Sequence, residues 1–170
     1  MVSMILDLSN VNDEDTFLCE FKQRVIDCFV SEAVAFFEDS PKGHFYRYIY
    51  GIHKLQFYLS RPVNYMYKPL ICKYRIYAHS LKIETGRYLS IDRQERICDF
   101  CNDSCIEDEF HFILKCKKYD DMRKKYIKPY YWKKPSAFKL VLLLSVCNIK
   151  ELNNLGNVLY SAEKVRNCLT

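Results

Sequence analysis

Cys98 and Cys101 are separated by two residues, His111 follows after nine more, and Cys116 comes after a further four. A C-x2-C-x9-H-x4-C pattern constrains a chain more than its composition does. If the four side chains hold one ion, everything between them must fold so that four donors meet at a point. Three thiols and an imidazole are soft and borderline donors that suit zinc in a closed, four-coordinate structural site. The Cys98–Asp103 stretch reads as a tight loop carrying the first two ligands. His111 and Cys116 are five apart, which places Cys116 at a frayed helix end where the geometry becomes reachable. Cys105 is an alternative ligand by proximity. Only four residues from Cys101, it reads better as a small buried residue. The chain holds 9 cysteines in all. The odd number points to reduced thiols and ligands rather than disulfides. Cys19, Cys28, Cys72, Cys147 and Cys168 fall on apolar faces and are assigned to the core.

Around this pattern the periodicity is helical. Phe17, Phe21, Val25, Cys28 and Phe29 recur at spacings of three and four and predict an amphipathic helix over 13–37, capped by Asn12 or Asp13 and stopped by Ser40-Pro41-Lys42-Gly43. A mixed helical segment is expected over 45–58. Pro62 and Pro69 mark turns. A helix is expected over 70–81 with Ile71, Tyr74, Ala78 and Leu81 on one face, and Gly86 breaks the pattern. Residues 105–116 read as a helix with Ile106, Phe110, Ile113 and Leu114 inward, and residues 118–128 continue it or begin another. Ser136 caps a helix running to Cys147, and 148–168 forms the last. Almost nothing alternates with period two. The expected fold class is all-α: a small helical domain with one zinc-pinned loop. Residues 1–69 form an N-terminal helical extension, 70–135 the zinc-binding region and 136–170 a C-terminal helical region, together one compact unit.

The chain has 49% apolar residues and only 4 glycines, enough for a core and too few polar tracts for disorder. No signal peptide is read at the start, and the longest apolar run, near 138–147, is too short to span a bilayer. The reading is a soluble intracellular protein, cytoplasmic or nuclear, without a membrane or small-molecule partner. Charge is unevenly spread. Residues 1–40 hold 2 basic and 9 acidic side chains, whereas residues 115–139 hold 10 basic and 2 acidic. The basic stretch interleaves cations with rings. Lys117, Lys118, Arg123, Lys124, Lys125, Lys128, Lys133 and Lys134 are candidates for phosphate contact, and Tyr130 and Tyr131 for stacking on unpaired bases. The same stretch also reads as a solvated face, or as the counterpart of the acidic N-terminal helix.

Three further strings are specific: Ala78-His79-Ser80-Leu81-Lys82-Ile83-Glu84-Thr85-Gly86-Arg87-Tyr88, then Glu95-Arg96-Ile97-Cys98 with Cys101, then Ile106-Glu107-Asp108-Glu109-Phe110-His111-Phe112-Ile113-Leu114-Lys115-Cys116. Together they resemble the zinc-binding segment at the C-terminal end of non-LTR retrotransposon reverse transcriptases. The likeness is strong over about 45 residues. It continues through Tyr119, Arg123, Lys124, Tyr130 and Tyr131, and more faintly back to Phe21. It implies zinc ligation by Cys98, Cys101, His111 and Cys116 without Cys105, and a role in holding template RNA or target DNA. The polymerase itself is missing. Tyr119-Asp120-Asp121-Met122 lacks the intervening residue of a Tyr-x-Asp-Asp turn and sits in a lysine-rich helical stretch. Three thiolates and one histidine leave no open position for catalytic water, and Glu84, Arg87 and His79 are better explained by capping and ion pairing than as an acid–base group. The expected function is therefore a non-catalytic, zinc-stabilised module binding RNA or DNA. The alternative is a structural or protein-interaction zinc module, with a protein partner on the acidic helix.

Overall fold

The structure, a computed structural model, describes residues 14–39 and 56–168. The elements in order are α1 (Glu14–Asp39), α2 (Phe57–Ser60), α3 (Tyr67–Arg75), α4 (Lys82–Tyr88), a 3-10 turn (Arg93–Glu95), a π turn (His111–Lys115), a second 3-10 turn (Lys117–Tyr119), α5 (Asp120–Tyr126), α6 (Pro129–Trp132), α7 (Ala137–Leu144) and α8 (Ile149–Asn167). Among the described residues there is no strand, only an isolated antiparallel bridge between Ile97 and Ile106. The all-α expectation therefore holds. Most of the segment expected over 45–58 lies outside the described residues.

Local chemistry accounts for where the helices start and stop. The Ser136 side chain accepts from the Lys139 amide, so α7 begins at the expected cap. Asn148, expected as the first residue of α8, instead caps it by accepting from the amides of Lys150 and Glu151. Pro69 lies inside the first turn of α3 rather than in a turn before it. A proline is tolerated there because the first amides of a helix have no acceptor within it. The same helix stops at Arg75, six residues short of the expected end. Tyr77 takes a left-handed conformation (φ 53°), and the Ala78 amide reaches back to the Lys73 carbonyl at 2.9 Å. That reversal leaves Ala78 exposed and buries His79. Gly86 lies within α4 instead of ending a helix. A Cβ there would sit 2.8 Å from Cγ and Cδ of Arg96, whose guanidinium crosses to the carbonyls of Ile83 (2.8 Å) and Ile91 (2.7 Å).

The last helix forms the centre of the packing, lying against α3 and α5. Ile71, Leu144, Leu152, Leu155 and Leu159 are completely buried, each worth about 1.5–3 kcal/mol relative to exposure. Gly156 permits the closest approach: a Cβ on it would fall 2.3 Å from the Cβ of Tyr67. A line of rings then joins α3 to the segment that carries the cysteines. Tyr74 stacks on Phe112 at 5.5 Å, and Phe112 meets Tyr119 edge-on at 4.9 Å. One core cluster runs from Tyr58 to Ala162, so residues 70–135 and 136–170 share an interior that already begins before residue 70.

Two expectations about burial are corrected. Helix α1 forms, but Phe17, Phe21, Val25 and Phe29, the apolar stripe of the expected amphipathic helix, are 40–73% exposed. Amphipathic spacing specifies an apolar face, not what covers it. Cys19, Cys28, Cys147 and Cys168 are likewise exposed, and Cys72 is half-buried. Among the described residues, no helix is long and apolar enough to cross a membrane.

Candidate metal centre

The loop between Ile97 and Ile106 is closed as a miniature ribbon. The Cys98 amide donates to the Cys105 carbonyl at 2.9 Å, and the Glu107 amide donates to the Arg96 carbonyl at 2.8 Å. Ser104, at φ 47°, turns the chain at the far end. Cys98 and Cys101 therefore project from a tight turn, as expected. Asp108 starts the next segment. Its carboxylate accepts from the His111 amide at 2.7 Å, as an N-cap side chain bonds an amide in the first turn. Residues 109–115 are helical, yet the segment does not fray before Cys116. It closes as a π turn in which the Cys116 amide donates to the His111 carbonyl at 2.7 Å, five residues back. In an α-helix, residues five apart diverge by about 140° around the axis. The wider turn brings both side chains to the same side.

The ligand atoms of Cys98, Cys101, His111 and Cys116 all lie within 4.8 Å of one another. The Cys98 and Cys116 sulfurs are 4.0 Å apart, and the Cys101 sulfur is 3.3 Å from His111 Nε2. A tetrahedron built from ordinary zinc–sulfur and zinc–nitrogen bonds has edges of about 3.6–3.8 Å. The observed separations bracket those edges, so the donor set is compatible with a metal ion such as zinc. Cys98, His111 and Cys116 are buried and Cys101 half-buried, leaving little room for water. Cys105 stays apart, its sulfur directed at the Asp103 carbonyl at 3.3 Å.

Without a cation, these thiols cannot all ionise. The Cys116 thiol donates to Cys98, which with His111 holds Cys98 far below the ordinary thiol range, while Cys116 itself is pushed up by the same bond and by burial. Burial also raises Cys101. A bound divalent ion removes this conflict by replacing the shared proton.

Five buried polar or charged side chains, two pairs and a lone arginine, brace the centre. Glu107 is fully buried and pairs with Arg166 near the end of α8. Its other oxygen accepts from the Lys82 amide at 2.9 Å, and Arg166 also donates to the Ser80 carbonyl at 3.1 Å. His79 is buried, pairs with Glu109, and its ring stacks on Tyr74 at 5.0 Å, in line with the ion-pairing role expected of it. Arg123 is 2% exposed and donates to the carbonyls of Ile113 (2.8 Å) and Cys116 (2.7 Å) and to Asp120 (2.9 Å). The expectation that Arg123 contacts phosphate is therefore corrected. Its guanidinium is engaged by the carbonyls of Ile113, within the π turn, and Cys116, just after it. Only the basic composition of its neighbourhood had pointed to phosphate.

Removal of a group that orients a ligand typically costs about 10–100-fold in metal affinity. If the cluster holds zinc, Arg123→Ala is expected to weaken its binding by that factor, read by competition with a chromophoric chelator. Unchanged affinity would remove Arg123 from the support of the centre.

The other basic candidates are exposed, in differing states. Lys117 bonds Asp103 at 2.6 Å, Lys124 bonds Asp120 at 2.5 Å, and Lys128 bonds Glu151 at 2.7 Å. Lys124 thus finds its partner on its own helix rather than on α1. Lys125 lies over the Tyr126 ring at 5.2 Å. Lys118, Lys133 and Lys134 have no acidic partner among the described residues. Tyr130 is 55% exposed and packs edge-on against half-buried Tyr131 at 5.2 Å. Sequence reasoning missed Phe138 and Lys139. Phe138 is 68% exposed, and Lys139 places its ammonium 4.6 Å from the Tyr130 ring and donates to the Lys134 carbonyl at 2.8 Å. Among known proteins, no family model matches this chain, and no curated protein or solved structure matches it either.

Proposed function

We propose that this chain is a non-catalytic module in which zinc, bound by Cys98, Cys101, His111 and Cys116, stabilises a surface that binds single-stranded RNA or DNA. The choice of zinc rests on the donor set, since three thiolates and an imidazole favour a soft, tetrahedral ion. The absence of a catalytic role rests on closure, with four protein ligands and no position left for water.

The observation that carries the reading is the surface formed by α6 and α7. There the exposed rings of Tyr130 and Phe138 stand beside Lys133 and Lys134, whose charges no described acid neutralises, with Lys139 packed on the Tyr130 ring. Lysines that would otherwise sit beside carboxylates are free for phosphates, and exposed rings take bases that a duplex would hide. The resemblance of residues 78–116 to the zinc-binding tail of retrotransposon reverse transcriptases supports the same reading.

A salt titration of binding to a single-stranded oligonucleotide tests it. Each phosphate contact contributes about 0.7 to the slope of log affinity against log salt on single strands, so Lys133→Ala, Lys134→Ala is expected to flatten the slope by about 1.4. A zinc-loaded protein that binds no strand at low salt would overturn the proposal. It would leave a metal-stabilised structural or protein-interaction module, for which the exposed apolar residues of α1 offer the contact surface.

A further inference from the structure

Beside the ring-and-lysine surface lies a cleft of about 380 Å³ between α5, α6 and α8. Its size is at the lower end of the range for small-ligand pockets, enough for one planar heterocycle and its sugar. Tyr126 and Tyr131 supply aromatic walls. Tyr131 follows Tyr130 on α6, so a strand lying along the exposed ring of one residue reaches the cleft at the next. Burial and the nearby Glu151 carboxylate raise the Tyr131 phenol, keeping it neutral.

The polar groups are arranged around those walls. Asn154 lines the cleft half-buried, and its side-chain amide has no hydrogen-bond partner among the described residues. Glu151 adds an acceptor, already holding Lys128 at 2.7 Å, and Lys150 stands exposed at the rim. The lining thus offers two rings for stacking, an uncommitted amide, and two ammonium groups, one of them already paired to the Glu151 carboxylate. An amide pairs with the edge of adenine, a carboxylate accepts the exocyclic amine of cytosine, and lysines take the adjoining phosphate.

We propose that this cleft receives one unpaired base of the bound strand, with Asn154 reading the edge of the base and Tyr131 stacking on it. The proposal rests on the strand-binding reading above and gives it a base preference. The α6–α7 surface supplies affinity that is indifferent to sequence, and the cleft supplies discrimination.

The test uses the full zinc-loaded chain with four homopolymeric single strands at one salt concentration, the matching duplex, and the free nucleoside monophosphate of the preferred base. The wild-type protein is expected to favour one base by about tenfold or more, the scale of a single bidentate contact. It is expected to bind the duplex more weakly, and the monophosphate far more weakly than the strand. Asn154→Ala, which favours the helix it sits in, is expected to bring the four strands to within about twofold while leaving the salt slope unchanged. Strand binding with no base preference, or a preference that survives in Asn154→Ala, overturns the cleft while leaving the surface intact. A monophosphate bound as tightly as the strand overturns it in favour of a free-nucleotide site. A wild-type protein that binds none of the strands overturns both proposals.

Discussion

Cys116→Ser is expected to abolish the cooperative thermal transition of the domain and to release the zinc proposed to be bound there. Cys116 is completely buried, and its sulfur lies 4.0 Å from that of Cys98. The residues just before it, Phe112, Ile113 and Leu114, are core residues rather than loop residues. Binding of structural zinc contributes roughly 10–16 kcal/mol in small metal-folded domains, while whole domains are stable by about 5–15 kcal/mol. The ion's contribution is thus as large as the total, and losing it removes the fold rather than softening it. Near-ultraviolet circular dichroism on heating, together with zinc per chain by mass spectrometry, gives both readings. Cys105→Ser is the control. Its sulfur is directed at the Asp103 carbonyl and lies outside the ligand cluster, so the expected zinc content stays at one per chain. A Cys116→Ser protein that melts like the wild type and retains one zinc would sink the metal-centre assignment.

Glu107→Gln is expected to cost about 3–5 kcal/mol, the usual price of leaving one member of a buried ion pair unmatched. The side chains of Glu107 and Arg166 are 1% and 11% exposed, so solvent cannot take over for the missing charge. The loss is compounded locally, because the oxygen facing the Lys82 amide also fixes the start of α4. Urea denaturation would measure it as a lower midpoint with an unchanged slope. Replacing both partners, as Glu107→Leu, Arg166→Met, is expected to recover part of the stability but not all. The Ser80 carbonyl and the Lys82 amide each lose a partner in that variant. A single-variant loss below about 1 kcal/mol would show that the pair is solvated in solution.

That Cys98, Cys101, His111 and Cys116 come together was legible in the sequence, because a shared ion would impose just such a spacing on these residue types. The starts of α7 and α8 were legible for a similar reason: Ser136 and Asn148 act on amides two or three residues away. What stayed hidden depends on distant neighbours. Tyr77 in a left-handed conformation ends α3, although nothing in its residue type favours that conformation. Gly86 looks like a helix breaker until Arg96 is seen lying across it. Arg123 carries the same charge as the lysines beside it, yet only it is drawn inward, because a forked guanidinium can serve two carbonyls and a carboxylate together. The exposed face of α1 shows the opposite failure, with periodicity in place and no packing surface implied by it.

With the proposed ion bound, the five-residue turn at His111–Lys115 would make ion occupancy and helix phase a single variable. If the segment reverted to ordinary α-helical bonding, one residue would have to be absorbed, and everything beyond it would rotate by about 100° about the axis. Cys116 would swing away from Cys98, and the carbonyls that Arg123 holds would turn with it. Intermediate phases would satisfy neither the proposed ion nor the guanidinium. For the same reason, inserting or deleting one residue between His111 and Cys116 is equivalent to deleting a ligand, even though every ligand is still present.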